Sequence, residues 1–169
     1  ASFHRGAPGV TRDDVEVVDV VGPEDGEVWP TPMRLDMVQV TKHEVIDGVQ
    51  KYADTFWVRT ADPLPSDRLT QACALTFVSD LGTGFGQIQD DEIGYGGPSI
   101  DHAIWFHEPI EADDWVLVRL WPGKAIASRG VYHGALRDRE GRLGATLVQE
   151  HLFVPSPAID TRRINPREP

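Results

Sequence analysis

One heptapeptide constrains this chain more than any other segment. Ala72-Cys73-Ala74-Leu75-Thr76-Phe77-Val78 is apolar on nearly every side of a helical wheel. A surface helix carries an apolar stripe backed by a polar face, so a helix apolar nearly all round has to be enclosed by other elements. Pro63 and Pro65 break extended structure ahead of it, and Ser66 is placed to cap a helix by accepting from an orphan backbone amide. The pattern predicts a central helix over 67–81. Gly82, Gly84 and Gly86 end it and open a flexible stretch through Gly94-Tyr95-Gly96-Gly97-Pro98.

Strands are the natural enclosure. Residues 34–40 alternate, with Leu35, Met37 and Gln39 on one side, and 55–60 is rich in β-branched and aromatic side chains. Four further runs, 99–108, 115–121, 129–137 and 143–154, read as strands. The segments between them, Glu111-Ala112-Asp113-Asp114, Pro122-Gly123 and Asp138-Arg139-Glu140-Gly141, are short and polar. Short connections favour antiparallel neighbours, because parallel pairing needs a long crossover. The expectation is an α+β unit in which a curved antiparallel sheet wraps around one helix. A length of 169 residues suits a single core, and residues 5–33, mixing glycine, proline and acids, read as a linker-like lead-in.

Sixteen basic residues against twenty-seven acidic ones give a formal charge of −11. That field opposes nucleic acid and anionic lipid. An anionic ligand would need local positive charge, for which Arg119, Lys124, Arg129, Arg137 and Arg142 are candidates. Cys73 is the one cysteine and has apolar neighbours, so it reads as buried filler. With no intrachain disulfide and no membrane-spanning run, the expectation is a soluble, cytoplasmic protein.

The order of three motifs is more specific. Phe77-Val78-Ser79-Asp80-Leu81 closes the helix, Ser99-Ile100-Asp101-His102-Ala103-Ile104-Trp105-Phe106-His107 opens a strand, and Thr146-Leu147-Val148-Gln149-Glu150 lies in the last one. Across 52–154 this arrangement resembles the type II acyl-CoA thioesterases. The resemblance implies a hotdog fold, usually present twice in one polypeptide, that hydrolyses fatty acyl-CoA to free acid and coenzyme A without cofactor or metal. It also implies the division of the chain. Residues 1–33 would be the end of a preceding hotdog, with Ala1-Ser2-Phe3-His4 as its last strand, and a linker; 34–155 would be the hotdog thioesterase domain and 156–169 a C-terminal tail. The expected partner is a second hotdog, from another copy or from a longer polypeptide.

The family's catalytic trio maps onto Asp80, Ser99 and Gln149, where serine stands for the more usual threonine. The residue types suit the chemistry. A thioester expels a thiolate whose conjugate acid has a pKa of roughly 8.5, so a modest base and an oriented water suffice. A carboxylate accepts the proton, while a hydroxyl and an amide hold the water in attacking geometry. Gln149 lies in phase with Ala145 and Leu147, which places it on the buried face, where its amide needs a partner. Backbone amides of the glycine-rich stretch are the expected oxyanion donors.

Other constellations read as structural. Alternation puts His102 on the opposite face from Asp101 and His107, so the three form no metal cluster. Trp105, Phe106, Trp115 and Trp121 read first as core or interface anchors and second as acyl-chain wall. Gly97-Pro98-Ser99 precedes a strand and lacks the second glycine of a nucleophile elbow. A hotdog dehydratase or hydratase using His102 or His107 with an acid, and an inert assembly module, are the competing readings.

Overall fold

In the computed structural model, residues 9–40, 45–46, 49–50, 55–82, 84–85, 88–90 and 93–157 are described. In chain order the elements are β1 (Glu27–Val28), β2 (Leu35–Gln39), β3 (Val45–Ile46), β4 (Val49–Gln50), β5 (Thr55–Thr60), α1 (Arg68–Ser79), β6 (Ile88–Asp90), β7 (Ile93–Gly96), β8 (Ser99–Phe106), β9 (Val116–Ile126), β10 (Arg129–Arg137), β11 (Leu143–Leu152) and β12 (Val154–Pro157). Seven of the strands form one sheet in the order β1-β2-β5-β9-β10-β11-β8, antiparallel at every junction. Leu75 and Val78 of α1 pack against Met37, Phe56, Val58, Val118, Leu120, Leu136 and Leu147 on one face of that sheet. This is the architecture expected from the patterning.

The helix start differs from expectation. Asp67, not Ser66, is the N-cap, and its carboxylate accepts from the amides of Leu69 (3.1 Å) and Thr70 (3.0 Å). A carboxylate at this end also meets the electropositive pole of the helix, which a serine hydroxyl exploits less. One turn on, buried Gln71 ties the helix to the loop before β9. Its amide donates to Pro65 O and Asp113, and its oxygen accepts from Ala112 N at 2.7 Å.

Enclosure is one-sided. Gln71, Leu75, Val78 and Ser79 form the buried stripe, whereas Cys73 is exposed and Phe77 is 53% exposed. Cys73 is therefore not buried filler. A single sheet covers only one side of a helix, and the apolar residues facing away from it stay open.

Pro122-Gly123 is not a turn. β9 runs through it to Ile126, and the chain reverses at Ala127 and Ser128, both at positive φ (51° and 62°). Pro122 stands opposite Tyr132 at the edge of a bulge, where the β9–β10 register shifts between Gly130 and Tyr132, and bulges are among the places where a strand tolerates proline. Gly123 is required there for another reason, since a Cβ would stand 2.6 Å from Val131 O. Part of the stretch expected to be flexible after α1 instead forms β6 and β7, which pair with each other, and β7 pairs in turn with β12. The distant partner strand supplies the order that local composition does not show.

The opposite face of the sheet is covered by the lead-in. Val18 and Val20 pack with Val38, Trp57 and Leu117, and Trp57 Nε1 donates to Val21 O at 2.9 Å. Buried Arg137 donates to Asp13 at 2.7 Å and to Val15 O at 2.8 Å. The expected strand over Ala1-Ser2-Phe3-His4 and the tail beyond Pro157 lie outside the described residues.

Candidate active site

The site forms where the C-terminal end of α1 meets β8 and β11. Asp80 is the C-cap residue of α1, and its side chain is 58% exposed. Its carboxylate stands at the electronegative pole of the helix, so neighbouring donors must offset that pole. Gln149 provides one, with Nε2 2.9 Å from Asp80 Oδ1, and Ser99 Oγ provides another at 3.3 Å. The Gln149 amide also donates to Ser99 Oγ. Asp80, Ser99 and Gln149 are thus in mutual hydrogen-bond contact.

Strand pairing explains this convergence. Tyr132, Gln149 and His102 stand opposite one another across β10, β11 and β8, all facing α1. Ser99, three residues from His102, would face the other way on a regular strand. It does not, because the β11–β8 register slips: Glu150 pairs with Asp101 and His151 with Ser99, leaving Ile100 as an extra residue. The bulge returns Ser99 to the inner face.

Burial divides the trio. Gln149 is 2% exposed, as its phase with Ala145 and Leu147 requires, whereas Asp80 opens to solvent. Both Nε2 hydrogens of Gln149 are used within the trio, and Ser99 gives its hydrogen to Asp80. Neither Ser99 nor Gln149 bonds the second carboxylate oxygen of Asp80, and Ser99 Oγ keeps a lone pair, so both can accept from a water. Burial pushes the Tyr132 phenol well above its ordinary value, and the Asp80 charge adds to the shift, so Tyr132 stays protonated beside the site.

His102, read from the sequence as structural or, in the competing dehydratase reading, as a proton carrier, touches this group. Its Nδ1 meets Gln149 Oε1 and its Nε2 lies 2.9 Å from Ser79 Oγ. The sequence signal for it was the opposition of 102 and 149, which becomes visible only once the register is known. His107 is elsewhere, bonded to Thr146 Oγ1 at 2.9 Å, and Asp101 is exposed. Among the described residues no group of three or more His, Cys, Asp or Glu side chains could hold a metal ion. Residues 83, 86–87 and 91–92 of the stretch expected to supply oxyanion amides lie outside the described residues.

The candidate basic residues do not cluster as free charges. Arg119 is paired with Glu16, Arg129 with Glu150, Arg137 with Asp13 and Arg142 with Asp138. Trp105 (52% exposed) and Phe106 (47%) lie on β8, not in the core, and among the described residues β8 is an edge strand of the sheet. Trp115 and Trp121 are partly buried beneath the guanidinium groups of Arg59 and Arg119. No helix among the described residues is long and apolar enough to cross a membrane.

One helix packed on one face of an antiparallel sheet defines a hotdog-fold protein. Residues 13–153 match the family model for the acyl-CoA thioesterase C-terminal domain, and the chain belongs to that family. It is 32% identical over 113 residues to human acyl-coenzyme A thioesterase 8, covering 64% of this chain and 35% of that protein. It is also 32% identical over 102 residues to acyl-CoA thioesterase 2 of Haemophilus influenzae, covering 57% and 36%. The acyl-CoA thioesterase II TesB2 of Mycobacterium marinum superposes with a TM-score of 0.68 at 25% identity, over 89% of this chain and 60% of that one. The chain therefore spans about a third of the length of the curated relatives it matches.

Proposed function

We propose that the protein hydrolyses acyl-CoA thioesters, with Asp80 as the general base and Ser99 and Gln149 completing the cage that orients the attacking water. The observation that carries the reading is the mutual contact of a solvent-open carboxylate, a hydroxyl and a buried amide drawn from three elements. Asp80 takes a proton from water as oxygen attacks the acyl carbon, and the tetrahedral intermediate collapses by expelling the coenzyme A thiolate. A base of this kind contributes about 10² to 10⁴ in rate. Both ring nitrogens of His102 are engaged, which argues against a dehydratase working through His102.

The exposed Phe77 face of α1 and the exposed Trp105 and Phe106 on edge strand β8 support pairing with a second hotdog, either another copy or a domain of a longer polypeptide. On this reading 34–155 is the hotdog domain, 1–33 connects it to a preceding one and 156–169 is a tail. A single cysteine with no partner fits a cytoplasmic setting.

The test is thiol release from acyl-CoA by the full chain and by Asp80→Asn and Gln149→Ala, with molar mass measured in solution. Losses of a hundredfold or more in both variants support the assignment. Undiminished turnover in both sinks it. Turnover by a homodimer rejects the alternative of an inert assembly module.

A further inference from the structure

We propose that His102 is a positioning residue for this reaction: as the Nδ1–H form it donates to Gln149 Oε1 and so dictates which end of the amide meets Asp80. The inference rests on reading Asp80 as an ionised base.

Donor counting carries it. A primary amide has hydrogens only on nitrogen, and an ionised carboxylate only accepts. Gln149 and Asp80 meet at 2.9 Å. Were the amide turned round, two acceptor oxygens would face each other at that distance with no hydrogen between them. An ionised Asp80 therefore requires the amide nitrogen on its side, where both hydrogens are consumed by Asp80 and Ser99. The amide oxygen is then left facing His102 Nδ1, and an acceptor in that place demands a proton on Nδ1. No other arrangement of the four groups satisfies every contact while keeping Asp80 ionised.

The far side of the ring is compatible with this. Ser79 Oγ lies 2.9 Å from Nε2 and 2.7 Å from Thr76 O. The Ser79 hydroxyl has one hydrogen: given to Thr76 O it accepts from Nε2 of a charged ring, and given to Nε2 it serves a neutral ring and leaves Thr76 O. Either state leaves the Nδ1 proton in place. Ser79 is fully buried and Asp80 follows it directly, so the end of α1 supplies the base and also the hydroxyl that fixes the ring of the group orienting it. Such hydrogen bonds at the second ring nitrogen are what select a histidine tautomer.

The titratable groups around the ring are few. Asp80 Oδ1 lies 3.9 Å from Nδ1. Tyr132 on β10 stands across Gln149 and is kept protonated by burial. His151, further along the inner face of β11, is held below its ordinary value by burial. Asp101 and Glu150 pair with each other on the opposite face of β8 and β11.

Two measurements on the full chain test the proposal. The first is the ¹⁵N spectrum of its histidine rings at neutral pH, with His102 assigned by comparison with His102→Asn. A proton on Nδ1 supports the proposal and an unprotonated Nδ1 overturns it, whatever the turnover of the chain. The second is thiol release by His102→Asn, His102→Gln and His102→Leu. The Asn amide reaches the place of Nδ1, whereas the Gln amide reaches that of Nε2. The expected order in kcat is wild type, then Asn, then Gln and Leu together, the last two down about a hundredfold with KM within about twofold. A purely space-filling role ranks Gln at or above Asn, and that order overturns the proposal. Retained activity in Asp80→Asn would sink the base assignment, whereas a dead Asp80→Asn beside a fully active His102→Leu sinks the role of His102 alone.

Discussion

Ser99 and Gln149 are fifty residues apart in sequence, and their side chains are hydrogen-bonded because β8 carries one more residue than its partner between Asp101 and Ser99. That extra residue, Ile100, sets the face on which the hydroxyl emerges. Ser99→Thr keeps the hydroxyl and adds a methyl that stiffens its rotamer. Its turnover is expected within a few-fold of wild type, whereas Ser99→Ala loses about tenfold or more. Deletion of Ile100 places the serine two residues from His102, on the inner face of a regular strand, so its turnover should exceed that of Ser99→Ala. Thiol-release rates for the three variants check this, and an Ile100 deletion no more active than Ser99→Ala would contradict the account.

The β9–β10 hairpin turns on two residues held at positive φ, Ala127 and Ser128, where asparagine and glycine are favoured. A left-handed conformation costs an ordinary residue roughly 1 to 2 kcal/mol. The double change Ala127→Asn, Ser128→Gly is expected to raise stability by about 1 kcal/mol, or about 2 to 4 °C in Tm for a chain this long. Only side chains change, so the bond from Phe153 N to Ser128 O at 2.8 Å survives. Differential scanning calorimetry gives the answer, and a lowered Tm contradicts the turn assignment.

Arg137 fastens the lead-in to the sheet. Its hydrogen bond to Asp13 holds that carboxyl below its ordinary value of 3.8, against a smaller opposing effect of desolvation. A carboxyl lowered on folding stabilises fully above its unfolded value and ceases to do so as pH falls through the folded value. The Asp13 contribution is therefore intact at neutral pH and disappears below about pH 4. Asp13→Asn should destabilise by no more than about 1 kcal/mol at pH 7, because Asp13 is part-exposed. The difference from wild type should shrink as pH falls below the unfolded value and through the lowered folded one. Arg137→Ala, which strips a buried cation from its acceptors, should cost about 3 kcal/mol. Urea titrations across pH measure both, and a pH-independent Asp13→Asn effect would contradict the linkage.

Two glycines separate packing from backbone strain. A Cβ on Gly134 would stand 2.7 Å from Leu120 Cδ2 and 2.9 Å from Leu147 Cγ, inside the core. Gly134→Ala is expected to cost about 1 to 3 kcal/mol by overpacking. Gly141 has φ +83° and open space around it. Its alanine variant should cost about 1 kcal/mol through conformation alone. Urea titrations measure both: an undiminished stability in Gly134→Ala contradicts the overpacking, and one in Gly141→Ala contradicts the backbone strain.

The sequence by itself determined the elements and their order. Alternation fixed which side of each strand meets the helix, so strands over 55–60 and 129–137 stand where expected, and Gln149 is buried in phase with Ala145 and Leu147. Periodicity is a local property, written within a few residues, and it survives folding wherever one face has to be buried. The motifs around Asp80, Ser99 and Gln149 were equally legible.

Tertiary structure alone decided the rest. Asp67 replaces Ser66 as the cap, Pro122-Gly123 lies within a strand, and Cys73 and Phe77 stay open because the sheet covers one side of the helix. His102 enters the site only because β11 sets Gln149 directly opposite it, and Ser99 joins them only through the bulge. Register and bulges are fixed by pairing between residues far apart in the chain. No local window contains both partners, so the geometry around Asp80 had to come from the folded molecule.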